Sequence, residues 1–289
     1  MLDVYNHQRD AANLTYIYPV LSRRAGGISV GINLNINRKC NWACVYCQVE
    51  NLQRGNPESI NLTLFQEELN YFLNEVINGD FLKNNADKDH QKIVDLAFSG
   101  DGEPTATSNF SEIVTIVLNS MHKYNLLTQK IPLRLITNGS FLYKSEVQNA
   151  ISLIGKNYGE VWFKIDRFDD SMKQINKVNF NAENISKNLQ KCLELSPTWI
   201  QTCWFEFDNN IPTETQQNMY INCIKNALSN DKKNNLKGIL LYAPNRKSYQ
   251  QDGVKIKLLS KNYMEEFREK ILQSVNLNAN SNFGVKISF

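Results

Sequence analysis

The segment CNWACVYC, residues 40–47, places three cysteines within eight residues, directly after a β-rich run. Thiolate sulfur favours zinc or iron–sulfur clusters among metal centres. A structural zinc site takes four ligands, yet the next histidine is His90 and the next cysteine is Cys192. Three thiolates on a cube-shaped iron–sulfur cluster leave one iron open to a substrate or cofactor. Cys40, Cys44 and Cys47 therefore predict a metal centre with an open coordination position, and a zinc knuckle remains the alternative.

A second motif, FSGDGEPT at residues 98–105, follows a run that we expect to be a strand. Its two glycines flank an aspartate, and Glu-Pro comes next. Such a sequence predicts a tight turn whose backbone lies close against another group. Taken alone, the same residues are equally typical of an ordinary connection between a strand and a helix.

Short β-rich runs alternate with longer segments of helical periodicity, which predicts βα units and a parallel sheet. We expect strands at residues 28–36, 93–98, 132–137, 160–165, 198–207, 236–242 and 284–289. We expect helices at residues 63–77 (with a capping box from Thr63 to Gln66), 110–124, 145–154, 182–195, 215–228 and 263–275, and a surface loop at 79–92. Alternation alone does not separate a doubly wound sheet from a barrel.

The composition is that of an ordinary soluble globular protein, with 42% hydrophobic and 21% charged residues in a chain of 289. A net charge of +3 neither indicates nor excludes nucleic-acid binding. The N-terminus is polar, and no run approaches the roughly 20 apolar residues of a membrane span. We therefore expect a cytoplasmic protein whose cysteines are metal-bound or free, with no membrane partner.

The two motifs together resemble the signatures of the radical S-adenosylmethionine (SAM) superfamily, including the aromatic Tyr46 just before the last cysteine. The resemblance implies an enzyme with a partial (β/α)6 TIM-type barrel and a [4Fe–4S] cluster on the three cysteines. It implies that SAM chelates the open iron and is cleaved reductively to a 5′-deoxyadenosyl radical. The implied SAM-binding residues of the second motif are Gly100, Asp101, Gly102, Glu103 and Pro104, of which Asp101 departs mildly from the usual Gly-Gly-Glu-Pro.

In such barrels the chemistry gathers at the carboxyl ends of the strands. This rule adds Asn138, Lys164 and Asp166 to Tyr46 as candidate cofactor-binding residues, and the superfamily presents polar groups to the SAM ribose from the end of its fourth strand. Capping or surface ion pairing is the structural alternative for each. Further candidates that face the pocket are Gln201, Thr202, Asn245 and Arg246, and we take Lys164, Gln201 and Arg246 as the candidate catalytic residues.

The run YPVLSRRAGGISVGIN at residues 18–33, with TNG at 137–139 and WFKID at 162–166, resembles the wyosine-synthase-related group of radical SAM proteins. The tRNA wyosine synthases of that wider group carry additional N-terminal cysteines for a second cluster. This chain has no cysteine before Cys40. The resemblance therefore implies radical chemistry but not the wyosine reaction. Arg23 and Arg24 either contact a phosphate or carboxylate or hold the N-terminal segment in place.

We expect a single domain over residues 1–289, with a core at 28–245, an N-terminal arm at 1–27 and a C-terminal extension at 246–289. The leading hypothesis is a radical SAM enzyme whose substrate is a small molecule or tRNA. A small reductant protein of the flavodoxin or ferredoxin type would supply electrons, and the polar loop 48–60 would cover the site.

Two alternatives to this hypothesis remain at this point. One is a tRNA-base-modifying enzyme of the wyosine-synthase type, and the other is a non-catalytic iron–sulfur or zinc protein. The remaining cysteines, at positions 192, 203 and 223, are expected to be buried free thiols.

Overall fold

The computed structural model describes residues 12–22, 26–275 and 283–289. In chain order its strands are β1 Ile17–Ser22, β2 Gly27–Ile32, β3 Lys39–Cys40, β4 Gln53–Arg54, β5 Ile93–Phe98, β6 Leu133–Thr137, β7 Glu160–Lys164, β8 Thr198–Cys203, β9 Glu206–Phe207, β10 Leu236–Tyr242, β11 Ile256–Lys257 and β12 Gly284–Ser288. The α-helices are α1 Leu62–Ile77, α2 Phe81–Asn85, α3 Phe110–Lys123, α4 Ser145–Lys156, α5 Met172–Ile175, α6 Ala182–Leu195, α7 Glu214–Asn230 and α8 Lys261–Val275. Short 3-10 helices cover Lys88–His90, Pro104–Ala106 and Gln251–Lys255.

One sheet of eight strands organises the molecule, in the order β1-β2-β5-β6-β7-β8-β10-β12. The strands from β2 to β12 run parallel to their neighbours, whereas β1 pairs antiparallel with β2 at one edge. Because these strands of the sheet run parallel, all their carboxyl ends lie at one edge, which we call the rim. The predicted βα alternation is confirmed, and it places the loops after the strands side by side.

Burial alternates along the strands. In β7, for example, Val161 and Phe163 are buried while Trp162 and Lys164 are partly exposed. The buried side chains join the hydrophobic core beneath the helices. The alternate side chains face away from the helices, since successive residues of a strand point to opposite faces. The sheet therefore has a covered outer face and an inner face that remains partly open.

Helix α1 begins earlier than the sequence predicted. Asn61, rather than Thr63, is its N-cap, and its side chain accepts a hydrogen bond from the Leu64 N–H at 3.1 Å. Asparagine is among the best capping residues, so the capping box predicted at Thr63 was wrong. The predicted surface loop at 79–92 also contains the short helix α2 and a 3-10 turn.

The region around β2 differs from the prediction as well. The expected strand at 28–36 ends at Ile32, because the Asn33 and Asn35 side chains bond to the loops that follow instead of extending the ladder. Strand β1 lies within the predicted N-terminal arm. Arg23 and Arg24 lie outside the described residues. Within the ranges that are described, no helix combines the length and apolar composition of a membrane span.

Candidate functional site

The cysteine loop follows β2 and lies at the rim of the sheet. Its three thiols are partly exposed and form no disulfide. The Trp42 backbone N–H donates to the Cys40 sulfur at 3.4 Å, and the Asn176 side-chain amide donates to the Cys44 sulfur at 3.2 Å. Two of the sulfurs thus already accept hydrogen bonds from N–H groups, as sulfur ligands of iron–sulfur clusters do.

Burial disfavours the charged thiolate at this loop. It raises the pKa of Cys40 to about 12 and that of Cys44 to about 11. Thiolates at these positions therefore need a nearby positive charge, which a bound metal centre provides. Across the described parts of the chain, no group of three His, Cys, Asp or Glu side chains converges on a single metal ion. The soft sulfur donors and their N–H partners fit an iron–sulfur cluster.

The second motif packs directly against the cysteine loop. A Cβ atom on Gly102 would lie 2.4 Å from the Lys39 carbonyl oxygen and 2.5 Å from the Asn35 amide nitrogen. Gly100 has a φ of +139°, and a Cβ there would lie 2.4 Å from Asn33 Oδ1. Asn33 also donates to the Asp101 carboxylate at 2.8 Å. The close approach predicted from the two glycines is therefore an approach to the chain around the cysteines.

Glu103 is buried, and its carboxylate is fully used within the protein. It accepts hydrogen bonds from the backbone and hydroxyl of Thr105, from the Thr137 hydroxyl at 2.6 Å and from the Asn138 N–H at 2.6 Å. Burial raises its pKa despite these hydrogen bonds. Through these hydrogen bonds Glu103 holds the loop after β5 against the end of β6. The neighbouring Pro104 is also buried.

The end of β6 reaches the cysteine loop through two side-chain contacts. Asn138 donates to Asn41 Oδ1 at 2.9 Å, and the Trp42 indole N–H donates to the Ser140 hydroxyl at 3.2 Å. Asn41 and Trp42 directly follow the first cysteine in the sequence. Asn138 therefore lies beside the cysteine loop.

Asp166 is the centre of a buried network at the end of β7. Its carboxylate accepts hydrogen bonds from the Tyr46 hydroxyl, from the Asn176 amide at 2.7 Å and from the Cys203 N–H at 2.8 Å. Lys164 Nζ lies 3.4 Å from the same carboxylate. Because Asn176 also touches Cys44, the network connects the ends of β7 and β8 to the cysteine loop.

Lys164 extends over aromatic rings at the top of the inner face. Its ammonium lies 4.8 Å from the Tyr46 ring centroid and 3.0 Å from the Tyr242 hydroxyl. Burial alone would lower the pKa of Lys164, but the charge of Asp166 and the other groups around it hold that pKa well above its ordinary value. The surroundings of Lys164 therefore favour its charged form, and its side chain is 14% exposed.

Arg167 supports the same rim through hydrogen bonds to backbone carbonyls. Its guanidinium donates to the carbonyls of Cys203 and Phe205 at 3.2 and 2.9 Å, and it lies 4.2 Å from the centroid of the Trp204 ring. Burial lowers its pKa. The arginine ties together the chain after β7 and the chain after β8.

A segment after β10 forms hydrogen bonds with backbone carbonyls of the cysteine loop. The Ser248 hydroxyl donates to the Val45 carbonyl at 2.6 Å, and the Tyr249 N–H donates to the Cys47 carbonyl at 3.1 Å. On the opposite side, the Gly55 N–H donates to the Cys40 carbonyl at 3.1 Å. The predicted cover formed by loop 48–60 thus lies in direct contact with the cysteine loop.

The predicted site residues separate into two groups. At the rim the structure brings together the cysteines, Tyr46, the turn at 100–104, Asn138, Lys164 and Asp166. Gln201 lies on the inner face beside Lys164. Thr202 instead faces the helices, where it bonds to the Ile165 carbonyl and the Tyr220 hydroxyl.

The two remaining candidates, Asn245 and Arg246, are exposed in the loop after β10. Sequence reasoning missed Asn176, Arg167 and Tyr242. Tyr242 ends a predicted strand, and the rule that nominated Lys164 applies equally to it. Arg167 directly follows the WFKID run. Asn176 follows no motif and joins the site only through folding, so no sequence signal marked it.

Comparison with curated proteins gives partial matches, and no family model matches the sequence. A UPF0026 protein of Methanocaldococcus jannaschii is 32% identical over 160 residues, which are 55% of this chain and 43% of that protein. The GTPase Obg of Brachyspira hyodysenteriae is 31% identical over 137 residues, which are 46% of this chain and 17% of that protein. The chain thus spans less than half the length of either relative.

Solved structures match nearly the whole chain at low sequence identity. SuiB of Streptococcus suis bound to S-adenosylmethionine has a TM-score of 0.58 at 12% identity, over 92% of this chain and 52% of that one. A radical SAM methyltransferase from Sphaerobacter thermophilus has a TM-score of 0.59 at 10% identity, over 93% and 68%. TYW1 with a bound lysine-pyruvate adduct has a TM-score of 0.55 at 16% identity, over 94% and 79%. The chain has the fold of the radical SAM enzymes, and the predicted fold is confirmed.

Proposed function

We propose that the chain is a radical SAM enzyme whose [4Fe–4S] cluster is held by Cys40, Cys44 and Cys47. The observation that carries the proposal is the interlocking of the cysteine loop with the turn at residues 100–104. Gly100 and Gly102 have no room for a side chain because Asn33, Asn35 and Lys39, in the chain that leads from β2 into the cysteine loop, fill that space. Two motifs that are distant in sequence therefore form one rim, on a fold shared with radical SAM enzymes.

When bound, a reduced [4Fe–4S] cluster supplies the electron that cleaves the sulfonium of SAM to a 5′-deoxyadenosyl radical and methionine. The three cysteines hold the cluster, and the N–H donors of Trp42 and Asn176 orient two of their sulfurs. A small reductant protein of the flavodoxin or ferredoxin type would deliver the electron, since the chain needs an external donor.

The polar residues of the rim divide into positioning and ligand-facing groups. Glu103 and Asp166 have their carboxylate oxygens occupied by protein donors, so we assign them to shaping the rim. Lys164 presents a fixed positive charge with part of its side chain exposed, so we assign it to an anionic or hydroxyl group of SAM or substrate. Asn138 and Tyr46 line the same space beside the cysteines.

The charge on Lys164 also bears on the reaction class. The solved structure of TYW1 contains a lysine-pyruvate adduct. An amine attacks a carbonyl group only in its neutral form. Lys164 Nζ lies 3.4 Å from the buried Asp166 carboxylate, which favours the charged form of the amine and raises its pKa. We propose that Lys164 of this chain binds a ligand by charge and does not form such an adduct.

Anaerobic reconstitution with iron and sulfide, followed by SAM and dithionite, tests the proposal. We expect iron uptake and slow release of 5′-deoxyadenosine, measured by chromatography. Screening cell extracts and bulk tRNA for a mass change would then distinguish a small-molecule substrate from tRNA. A folded protein that takes up stoichiometric zinc, accepts no iron and leaves SAM intact would contradict the proposal.

A further inference from the structure

The inner face of the sheet carries a continuous row of partly exposed side chains. Strand register aligns Lys164 with Gln201, Gln201 with Leu240, and Leu240 with Lys286. These four residues belong to four neighbouring strands, and all point away from the helices. Neighbouring strands are about 4.8 Å apart, so Gln201 and Lys286 lie roughly 10 Å apart at the backbone, within reach of one small ligand.

Two tryptophans form the next row toward the amino ends of the strands. Trp162 and Trp199 are paired in register on β7 and β8. Both indole N–H groups donate to the Glu160 carboxylate at 3.1 Å, which fixes the orientation of the rings. Trp162 precedes Lys164 by two residues, or about 6.6 Å along a strand. An aromatic floor therefore lies one row below Lys164 and Gln201.

Charges on this face are matched with one exception. Arg134 pairs with Asp95 and, at 2.7 Å, with Glu160. Lys286 lies 4.3 Å from the centroid of the Trp199 ring and is exposed. Within the described ranges, Lys286 forms no ion pair with a carboxylate, so it adds a positive charge that the protein itself does not neutralise.

Gln201 is the second group with unused hydrogen-bonding capacity. Its side-chain amide has no hydrogen-bond partner among the described residues, although it lies beside Lys164 and one row above the two tryptophans. A few convergent polar groups above an aromatic surface are typical of a small-molecule site. The two rows thus combine an ammonium group without a carboxylate partner and an amide without a hydrogen-bond partner in the described structure. Beside them are two indole rings, with Lys286 over Trp199 and Arg134, at 5.1 Å, over Trp162.

We propose that this inner face binds the substrate, and that the substrate is a small molecule with an anionic group and a planar body. Lys286 and Gln201 bind the carboxylate or phosphate, while Trp162 and Trp199 contact the planar part. The inference rests on the proposed function, because the rim where SAM would bind lies directly above this face. It goes further by assigning a ligand class and by adding Lys286, Trp162 and Trp199, which were not among the predicted site residues.

Calorimetric titration of the reconstituted protein with benzoate and benzamide tests the inference, since the two probes share shape and differ in charge. We expect saturable benzoate binding that is at least about tenfold tighter than benzamide binding, because charge-assisted hydrogen bonds are stronger than neutral ones. Phenyl phosphate, titrated in parallel, distinguishes a phosphate preference from a carboxylate preference.

Variants assign the charge selectivity to one residue. Lys286→Met should weaken benzoate binding about tenfold or more and leave benzamide binding unchanged, and Lys286→Arg should retain most of the affinity. Lys123→Met is the matched control, because Lys123 also lies over an aromatic ring, 5.3 Å from the Tyr124 centroid, but on helix α3 outside the sheet. The control should bind benzoate like the wild type.

Three results would overturn the inference. They are equal affinity for benzoate and benzamide, no saturable binding of either benzoate or phenyl phosphate, and unchanged benzoate affinity in Lys286→Met. Failure of the proposed function is separately visible in the wild-type protein. Charge-selective benzoate binding without any release of 5′-deoxyadenosine would contradict the proposed function and leave this inference standing.

Discussion

Polar side chains at the rim of the sheet and on its inner face differ in how many hydrogen bonds the protein itself supplies to them. At the rim, Asp166 and Glu103 are buried and each accepts four hydrogen bonds from protein donors. On the inner face, Gln201 and Lys286 are accessible and keep hydrogen-bonding capacity in the described structure. Buried polar groups must be satisfied from within, whereas a binding site holds groups that a ligand satisfies. The carboxylates of the rim therefore hold the site together, whereas the amide and ammonium groups of the inner face stay available to a ligand.

Removal of one rim thiol should have the largest effect. We expect Cys44→Ala to lose its bound iron completely, since a cluster with two protein ligands is not retained. Cys192→Ala is the matched control, because this thiol is buried in α6 and lies 3.3 Å from the Thr198 hydroxyl, away from the rim. Iron per protein after anaerobic reconstitution is the measurement. Equal iron in both variants would show that the cysteine loop is not the metal site.

The hydrogen-bonded carboxylates of the rim should also contribute to the free energy of unfolding. Asp166→Ala leaves Lys164 buried without its counter-ion, and breaking a buried pair costs about 3–5 kcal/mol. Gln201→Ala on the inner face removes no side-chain hydrogen bond to a described residue and should stay within about 0.5 kcal/mol of the wild type. Urea unfolding of the reconstituted proteins measures both. If Gln201→Ala lowered the free energy of unfolding as much as Asp166→Ala does, the distinction between rim and inner face would be contradicted.

A smaller effect is expected where the two motifs touch. Gly102→Ala places a Cβ 2.4 Å from the Lys39 carbonyl oxygen, so the cysteine loop must shift, at a cost of about 1–3 kcal/mol. Gly284→Ala meets nothing within 4 Å and should cost less than about 0.5 kcal/mol. Thermal unfolding compares the two, and iron content reports the displacement of the loop. If Gly102→Ala matched Gly284→Ala in both measurements, the interlocking of the motifs would be refuted.

The smallest expected effect concerns a positioning residue, Asn176. Its amide donates to the Cys44 sulfur at 3.2 Å, and hydrogen bonds to sulfur raise the reduction potential of a cluster. Asn176→Ala should therefore lower the midpoint potential while iron content stays near the wild-type value. A redox titration followed by electron paramagnetic resonance measures the shift. Asn157→Ala, on the surface with its amide 2.8 Å from the Leu153 carbonyl, is the control. If the two variants had identical midpoint potentials, the proposed effect of the hydrogen bond from Asn176 to the Cys44 sulfur would be contradicted.

Much of the fold followed from sequence pattern. The strands Ile93–Phe98 and Leu236–Tyr242 and the helix Ala182–Leu195 have the predicted bounds, because each has strong periodicity between polar or turn-forming residues. The grouping of the cysteines, the glycine turn and the residues after β7 also followed, since carboxyl ends of parallel strands share one rim. The two motifs and the rule on strand ends together predicted which residues meet at the rim.

Other features depended on pairings between distant residues. The helix start at Asn61 instead of Thr63 reflects two capping residues in competition, which local sequence does not rank. The hydrogen bond from the Asn138 N–H, at the end of β6, to the Glu103 carboxylate depends on how the two distant segments pack together. The alignment of Gln201 with Lys286 arises only from the register of β8, β10 and β12. These relations depend on contacts between residues that are distant in sequence, so local sequence patterns do not predict them.

The central claim is that Cys40, Cys44 and Cys47 hold a cluster with one iron open to SAM. Electron paramagnetic resonance of the reduced, reconstituted protein, recorded with and without SAM, tests it most directly. We predict a cluster signal that changes shape on addition of SAM, because the cofactor binds the open iron. A signal that SAM leaves unchanged, in protein with full iron content, would contradict the account.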